Sequence, residues 1–279
     1  MAATISVREP VYSSEKDFGL AARLREVYRH RNLIWELTAR NLKVRYRRSV
    51  FGFLWAVLNP LLNALVYAFV FQILLRSSID RFLLFIVIAL VAWNTFSASV
   101  MESMSIITGS SHLVSRVRFP HEVLPISVVL TNTINFFFAM PSIFLAMILT
   151  RTPLHVGIIY FPVTVVSAFC FSLGIAFIAA AVNVFFQDTR NFLDVVMGLW
   201  FFLTPTIYRI QDVFPSAARI VYIANPMASI IESYRQMFYY NGGWPAPDFM
   251  ARTLVSCIIT LVVGWLIFAT LSARFVEEL

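Results

Sequence analysis

The sequence predicts an all-α integral membrane protein with six membrane-spanning helices. Uncharged apolar runs of bilayer length recur along the chain, as at 82–101 and 253–273, and each reaches the roughly 20 residues that a hydrocarbon span requires. Composition agrees: 59% of the 279 residues are hydrophobic, 13% are charged and mean hydropathy is +0.76, whereas a water-soluble domain carries about 25% charged residues. Because the runs recur, the chain is a helix bundle and not a soluble domain on one anchor.

The first fifty residues are polar and hold 11 of the 22 Lys and Arg, unlike a secretory signal, in which a short basic start leads into an apolar run. The amino terminus is therefore expected to stay in the cytoplasm, with 1–31 a cytoplasmic segment. Over 32–48 a helical period puts Trp35, Ala39, Leu42 and Tyr46 on one stripe and Arg40, Lys43 and Arg47 on its flank. Such a helix lies in the membrane plane with its apolar stripe in the headgroup boundary. A second strip, Leu33, Leu37 and Val44, is expected against protein. This interface segment occupies 32–50, and the transmembrane domain 51–279.

Hydropathy places spans at 53–75, 82–101, 124–149, 158–184, 192–208 and 253–271. An even count puts both termini on one side. With that side cytoplasmic, fifteen Lys and Arg lie inside and seven outside (Arg76, Arg81, Arg151, Arg209, Arg219, Arg235, Arg252), as the positive-inside rule requires. The long external connection, 209–250, holds two apolar segments, 220–223 and 227–240, parted by Asn225-Pro226. Each is too short for about 30 Å of hydrocarbon, so the connection is either a re-entrant or interfacial helical hairpin held against protein or a folded external cap. Asn241-Gly242-Gly243, Pro245 and Pro247 close it with turn residues.

No G-x-x-x-x-G-K-[ST] phosphate loop occurs, since neither Lys16 nor Lys43 follows a glycine. If ATP drives this protein, the ATPase is another polypeptide. A nucleophile elbow and H-E-x-x-H are also missing, and Cys170 and Cys257 sit inside apolar runs without metal-ligand spacing. Neither a catalytic residue nor a metal or cofactor site is predicted in this chain. The net charge of +7 lies beside a hydrophobic span, where it sets topology and meets anionic headgroups, not nucleic acid. Glu102 and Asp194 fall near the cytoplasmic ends of their spans, as interfacial anchors or as proton relays. The internal loop 109–122 carries Arg116, Arg118, Phe119, Pro120, His121 and Glu122. It either offers a rigid turn to a cytoplasmic partner, with Phe119 as anchor and the arginines as rim, or only sets topology.

Five stretches taken in order carry a family resemblance: RNLKVRYRRSVFGFLW at 40–55 running into LNPL at 58–61, FPHEVLP at 119–125, FQDTRN at 186–191, TPTIY at 204–208, and Asn225-Pro226 followed by ESYR at 232–235. In these, from about Ile34 onward, the chain resembles the permease subunits of bacterial ABC exporters for polysaccharides and polyol phosphates, including O-antigen and teichoic-acid exporters. That family usually has Ser where Thr204 stands. The resemblance implies a homodimeric channel with two ATP-binding subunits on its cytoplasmic face, which hold the Mg-ATP. It makes 109–122 a coupling helix and 32–48 an interface helix. It also makes the hairpin a pair of external gate helices, in which Tyr208, Asn225, Pro226, Tyr234 and Arg235 are the candidate residues. The implied cargo is a glycan or polyol phosphate on a polyprenyl pyrophosphate lipid, exported across the bacterial plasma membrane.

A pyrophosphate at the inner leaflet needs cations at headgroup depth, and Arg45, Arg47 and Arg48 precede the first span; they bind it or serve topology. Sugars pack CH faces on rings while their hydroxyls seek amides. Trp55, Trp93, Phe136, Phe169, Phe177, Phe185 and Trp200 are channel candidates, with Asn59, Asn63, Asn94, Asn132, Asn135 and Asn183 as polar company. Each ring alternatively faces lipid or another helix. Two rival functions stay open: permease of a drug or small-lipid ABC exporter, and membrane-bound transferase acting on polyprenyl lipid.

Overall fold

The computed structural model describes residues 20–47, 49–76, 78–110, 119–154, 156–186, 188–213, 216, 218–240 and 246–278. Helices α1 (Leu20–Arg29) and α2 (Arg31–Tyr46) precede α3 (Leu54–Ala68), which continues as a π-helix over Phe69–Leu74. Then come α4 (Phe82–Met104), α5 (Val123–Leu149), α6 (Phe161–Phe185, behind a 3-10 turn at Val156–Tyr160) and α7 (Thr189–Leu203). The short α8 (Ile210–Val213) and α9 (Ala218–Ala224) lead to α10 (Pro226–Phe238), α11 (Pro247–Ser272) and α12 (Phe275–Glu278).

Among the described residues, five helical segments are long and apolar enough to cross a membrane: Leu54–Leu74, Phe82–Met104, Val123–Leu149, Val156–Phe185 and Pro247–Ser272. The remaining predicted span, 192–208, is α7, whose 15 residues rise about 22 Å. It stops at Leu203, short of Tyr208, because Pro205 lacks an N–H and holds Thr204 in extended backbone (φ −88°, ψ 134°). The long connection after α7 is helical in three pieces, α8, α9 and α10, one more than the two apolar segments expected, with the break between the last two at Asn225 and Pro226 starting α10.

α4 is apolar on every side, and such a helix is stable only when surrounded. It is packed by α3, α5, α6, α7 and α10, and Phe82, Leu84, Phe85, Ile86, Val87, Ile88 and Ala89 have no exposed surface. It runs between two ends of opposite character. One is the basic end, where α2 crosses α4 and α5; the other is the hairpin end, where α10 meets the start of α4. By contrast α3 presents Leu62, Leu65, Val66, Phe69 and Ile73, each more than half exposed, to the outside.

α2 is docked by Leu37 and Thr38, both buried, and the Thr38 hydroxyl donates to Ile34 O (2.7 Å) and Ser127 O (3.3 Å). Its inward line continues through Asn41 to Arg45, so Val44, expected against protein, is exposed and Tyr46, expected among headgroups, turns inward. Trp35 stays outside at 61% exposure.

α6 and α11 make the closest helix crossing. A Cβ on Gly264 would lie 2.1 Å from the Gly174 carbonyl oxygen, and one on Gly174 2.5 Å from Thr260 O. Lipid supplies no hydrophobic drive between helices, so close backbone approach through small residues takes its place. Gly264→Ala must therefore push two backbones apart. A loss of about 1–3 kcal/mol is expected, read as a lower thermal midpoint in detergent. Gly109→Ala, whose new methyl would meet open space, should melt like the parent; equal melting of both variants would show that the crossing does not need its glycines.

Candidate functional site

Residues four apart share a helix face, and on α3 the series Trp55, Asn59, Asn63 and Tyr67 forms one stripe. It lines a cavity of about 760 Å³. The second wall is a stripe of α4, with Leu90, Trp93, Asn94, Ser97, Ala98 and Met101; the third is α7, with Asp194, Met197, Gly198, Phe201 and Phe202. Arg45, Tyr46, Ser49, Gly52 and Asn135 stand at its basic end. Rings alternate with amides along the walls: Asn63 Nδ2 donates to Asn59 O (2.8 Å) and Oδ1 (2.9 Å), while Trp93 meets Phe201 edge-on at 5.5 Å.

At the basic end the guanidinium of Arg45 donates through Nη2 to both Glu102 oxygens (2.6 and 2.7 Å) and through Nη1 to Asn132 Oδ1 (2.9 Å). Asn132 Nδ2 returns a bond to Glu102 Oε2 at 3.0 Å. Glu102 is thus no isolated anchor but the carboxylate of a three-member cluster. The Tyr46 hydroxyl bonds to Asn135 Oδ1, and burial pushes its phenol above the ordinary value, so it is a neutral donor. Of the three pyrophosphate candidates, Arg45 is on the cavity wall, Arg47 is exposed beside it, and Arg48 lies outside the described residues.

The hairpin end closes around α7. Thr204-Pro205-Thr206 is a helix break with carbonyls turned inward, and Arg235 of α10 donates to Pro205 O and Thr206 O, both at 2.6 Å. Its guanidinium also lies 3.4 Å over the Phe85 ring. Asn225 caps α10 by accepting from Met227 N (3.2 Å), accepts from Trp200 Nε1 (3.2 Å), and donates to Thr204 Oγ1 (2.9 Å). The contact uses a hydroxyl, so Thr serves where the family usually has Ser. Glu232 is buried near Arg235, and burial holds its carboxyl above the usual range against the pull of Arg235 and Tyr240. Tyr239 is clasped by Arg81 and Arg209, with guanidinium carbons 5.1 and 5.7 Å from its ring centre.

The other predicted residues scatter. Phe136 and Phe169 border a separate small void, with Tyr234 packed 5.4 Å from Phe136. Phe177 packs at a tilt on Phe268 and Phe185 on Phe275, and Trp200 packs on Phe96 and Phe171; none of these five lines the large cavity. Tyr208 bonds back to Phe202 O at 3.2 Å. In the loop, Phe119 is half-buried against His121 (5.9 Å), Pro120 is half-buried, and Glu122 is buried, 4.0 Å from Arg23 of α1. Arg116 and Arg118 lie outside the described residues. Tyr67, Phe201, Phe202 and Asp194 are wall residues that the sequence reading did not assign to the channel. For Tyr67 the signal was present in the i+4 series from Trp55, and for α7 in the series 194, 198, 201, 202.

A multi-pass helical bundle with a side-open, ring-and-amide cavity defines a membrane permease. The chain belongs to the ABC-2 type transporter family, which it matches over residues 32–239. It is 38% identical over 258 residues to the O-antigen export system permease protein RfbA of Myxococcus xanthus, covering 92% of this chain and 98% of that one. A protein of the same description from Klebsiella pneumoniae is 30% identical over 249 residues, 89% of this chain and 95% of the relative.

Removing the α10 guanidinium leaves two inward carbonyls without donors. Arg235→Leu is expected to cost on the order of 3 kcal/mol, seen as a lower thermal midpoint in detergent, with Arg235→Lys between it and the parent because one ammonium cannot present a planar fork to both oxygens. A midpoint unchanged in Arg235→Leu would mean that α7 is held elsewhere.

Proposed function

We propose that this permease forms, with a second copy of itself, the channel through which a lipid-linked cell-envelope glycan leaves the cytoplasm across the bacterial inner membrane. ATP hydrolysis in two partner ATP-binding subunits drives it, since the chain has no phosphate loop. The observation that carries the reading is the stripe Trp55, Asn59, Asn63 and Tyr67 on the cavity wall. Rings take sugar CH faces, amides give and accept hydrogen bonds to hydroxyls, and a wall without a run of charges suits a polymer that must keep moving. The description of the relatives as O-antigen export permeases supports a glycan cargo.

The basic end faces the cytoplasm in this reading, with both termini inside, and the lipid carrier's pyrophosphate docks near Arg45, Arg47 and Arg48. The exposed apolar faces of α3 and α7 bordering the cavity are where the second copy closes it. The hairpin is the external gate, and loop 109–122 docks on the ATP-binding subunit with Phe119 as its anchor.

The test is reconstitution of the permease, with and without its ATP-binding partner, in sealed inverted vesicles carrying lipid-linked glycan. The permease alone should not hydrolyse ATP. With the partner, glycan should stimulate hydrolysis and move inward, and Trp55→Ala with Asn63→Ala should cut transport about ten-fold or more while the complex still assembles. Transport of a small amphiphile with indifference to glycan would overturn the cargo. In the same preparation, Phe119→Ala should weaken docking of the ATP-binding subunit by on the order of 2 kcal/mol; undiminished co-purification would remove Phe119 from the coupling contact.

A further inference from the structure

Among the described residues that line the cavity, Arg45 is the one cation. Yet its guanidinium is taken up by a carboxylate from another helix, Glu102, which is 45% exposed at its side chain and sits two residues before the end of α4. An exposed ion pair contributes little to stability, so stability alone does not account for the arrangement. Its geometry is also incomplete. Both carboxylate oxygens converge on one nitrogen, Nη2, and not on the paired fork that Arg presents to a well-fitted oxyanion. Asn132, 1% exposed, holds the third side of the triangle by bonding to both partners. That amide fixes Arg45 at the cavity mouth whether or not Glu102 is in contact.

We infer that Glu102 is an internal competitor that occupies, on Arg45, the place of a pyrophosphate headgroup, and that the arriving anion displaces it. A diphosphate brings more charge and more acceptor oxygens than a carboxylate and fits the guanidinium fork, so the exchange runs towards the ligand when it is present and back when it leaves. Displacement also breaks the α2–α4 tie made by this pair. From Glu102 the chain passes through Ser105 and the turn Thr108–Ser110 into the loop assigned above to the ATP-binding subunit. Release of Glu102 is therefore placed to report an occupied mouth to that loop. This inference rests on the glycan-exporter reading for the identity of its anion.

The test uses the full-length permease in phosphatidylcholine nanodiscs with geranylgeranyl pyrophosphate and inorganic pyrophosphate as probes. Glu102→Gln removes the competing charge but keeps the shape and should bind both probes about five-fold more tightly than the parent. Arg45→Gln should bind weakly, and Arg45→Gln with Glu102→Gln equally weakly. A gain of affinity cannot come from misfolding. Unchanged or weaker binding in Glu102→Gln would overturn the competitor and make Glu102 a positioning residue for Arg45; parental binding in Arg45→Gln would put the phosphate site elsewhere. In discs doped with phosphatidylglycerol the gain should persist; its loss would make bulk lipid the occupant and overturn the assignment to pyrophosphate. Glycan transport by the parent is scored separately, so failure of the Glu102 competitor with transport intact leaves the exporter reading standing, and failure of transport removes that reading itself.

Discussion

A backbone group that leaves a helix ladder where it is buried must find its partner in the protein, and Thr204-Pro205-Thr206, all three buried, is the break on which this architecture turns. Pro205 ends α7 early and frees two carbonyls, and Arg235 answers both from a helix that crosses at the same level. Asn225 closes the arrangement by serving α10, Trp200 and Thr204 at once. A wall of the cavity is thereby held at one end through a few charged and amide contacts, while Phe192, Val195 and Leu199 leave its other face exposed. The burial of α10 and the shortness of α7 are two sides of one constraint.

Charge is partitioned along the molecule by the same physics. The cavity walls are built from rings and amides, whose hydrogen bonds need no counterion, and the ionic groups collect at the two ends. At the basic end Arg45, Glu102 and Asn132 form a partly exposed cluster; at the hairpin end Glu232 and Arg235 are buried. Buried ions are strongly position-dependent and exposed ones readily exchanged. The buried cluster therefore suits a fixed joint, and the exposed one suits contact with a ligand.

The bundle behind the cavity is held differently. α4 contributes bulk, and α6 and α11 contribute proximity: at Gly174 and Gly264 the two backbones touch, which needs the absence of side chains at two positions far apart in sequence. α3 and α7 are sparsely covered by comparison, with Pro60 and Ala64 the buried residues of the first and Met197 that of the second, and the cavity lies between them and α4.

The class of the protein, five helices long and apolar enough to span, the helix preceding them and the break at Asn225-Pro226 were all legible in the sequence, because apolar length, helical period and proline chemistry are local properties. So was part of the cavity wall: Trp55, Asn59 and Asn63 lie at one spacing on one helix, and Trp93 and Asn94 on the next. The partners were not legible. Nothing local says that Arg45 meets Glu102, 57 residues away, that Val44 faces out while Tyr46 faces in, or that Phe177 and Phe185 pack on Phe268 and Phe275 while Phe201 lines the cavity. Every phenylalanine has the same preference for leaving water, so composition assigns all of them to the membrane and none to a wall. Which ring faces the cavity is decided by how the helices rotate against one another, and that rotation is set by contacts between residues such as Gly174 and Gly264 that only the tertiary structure brings together.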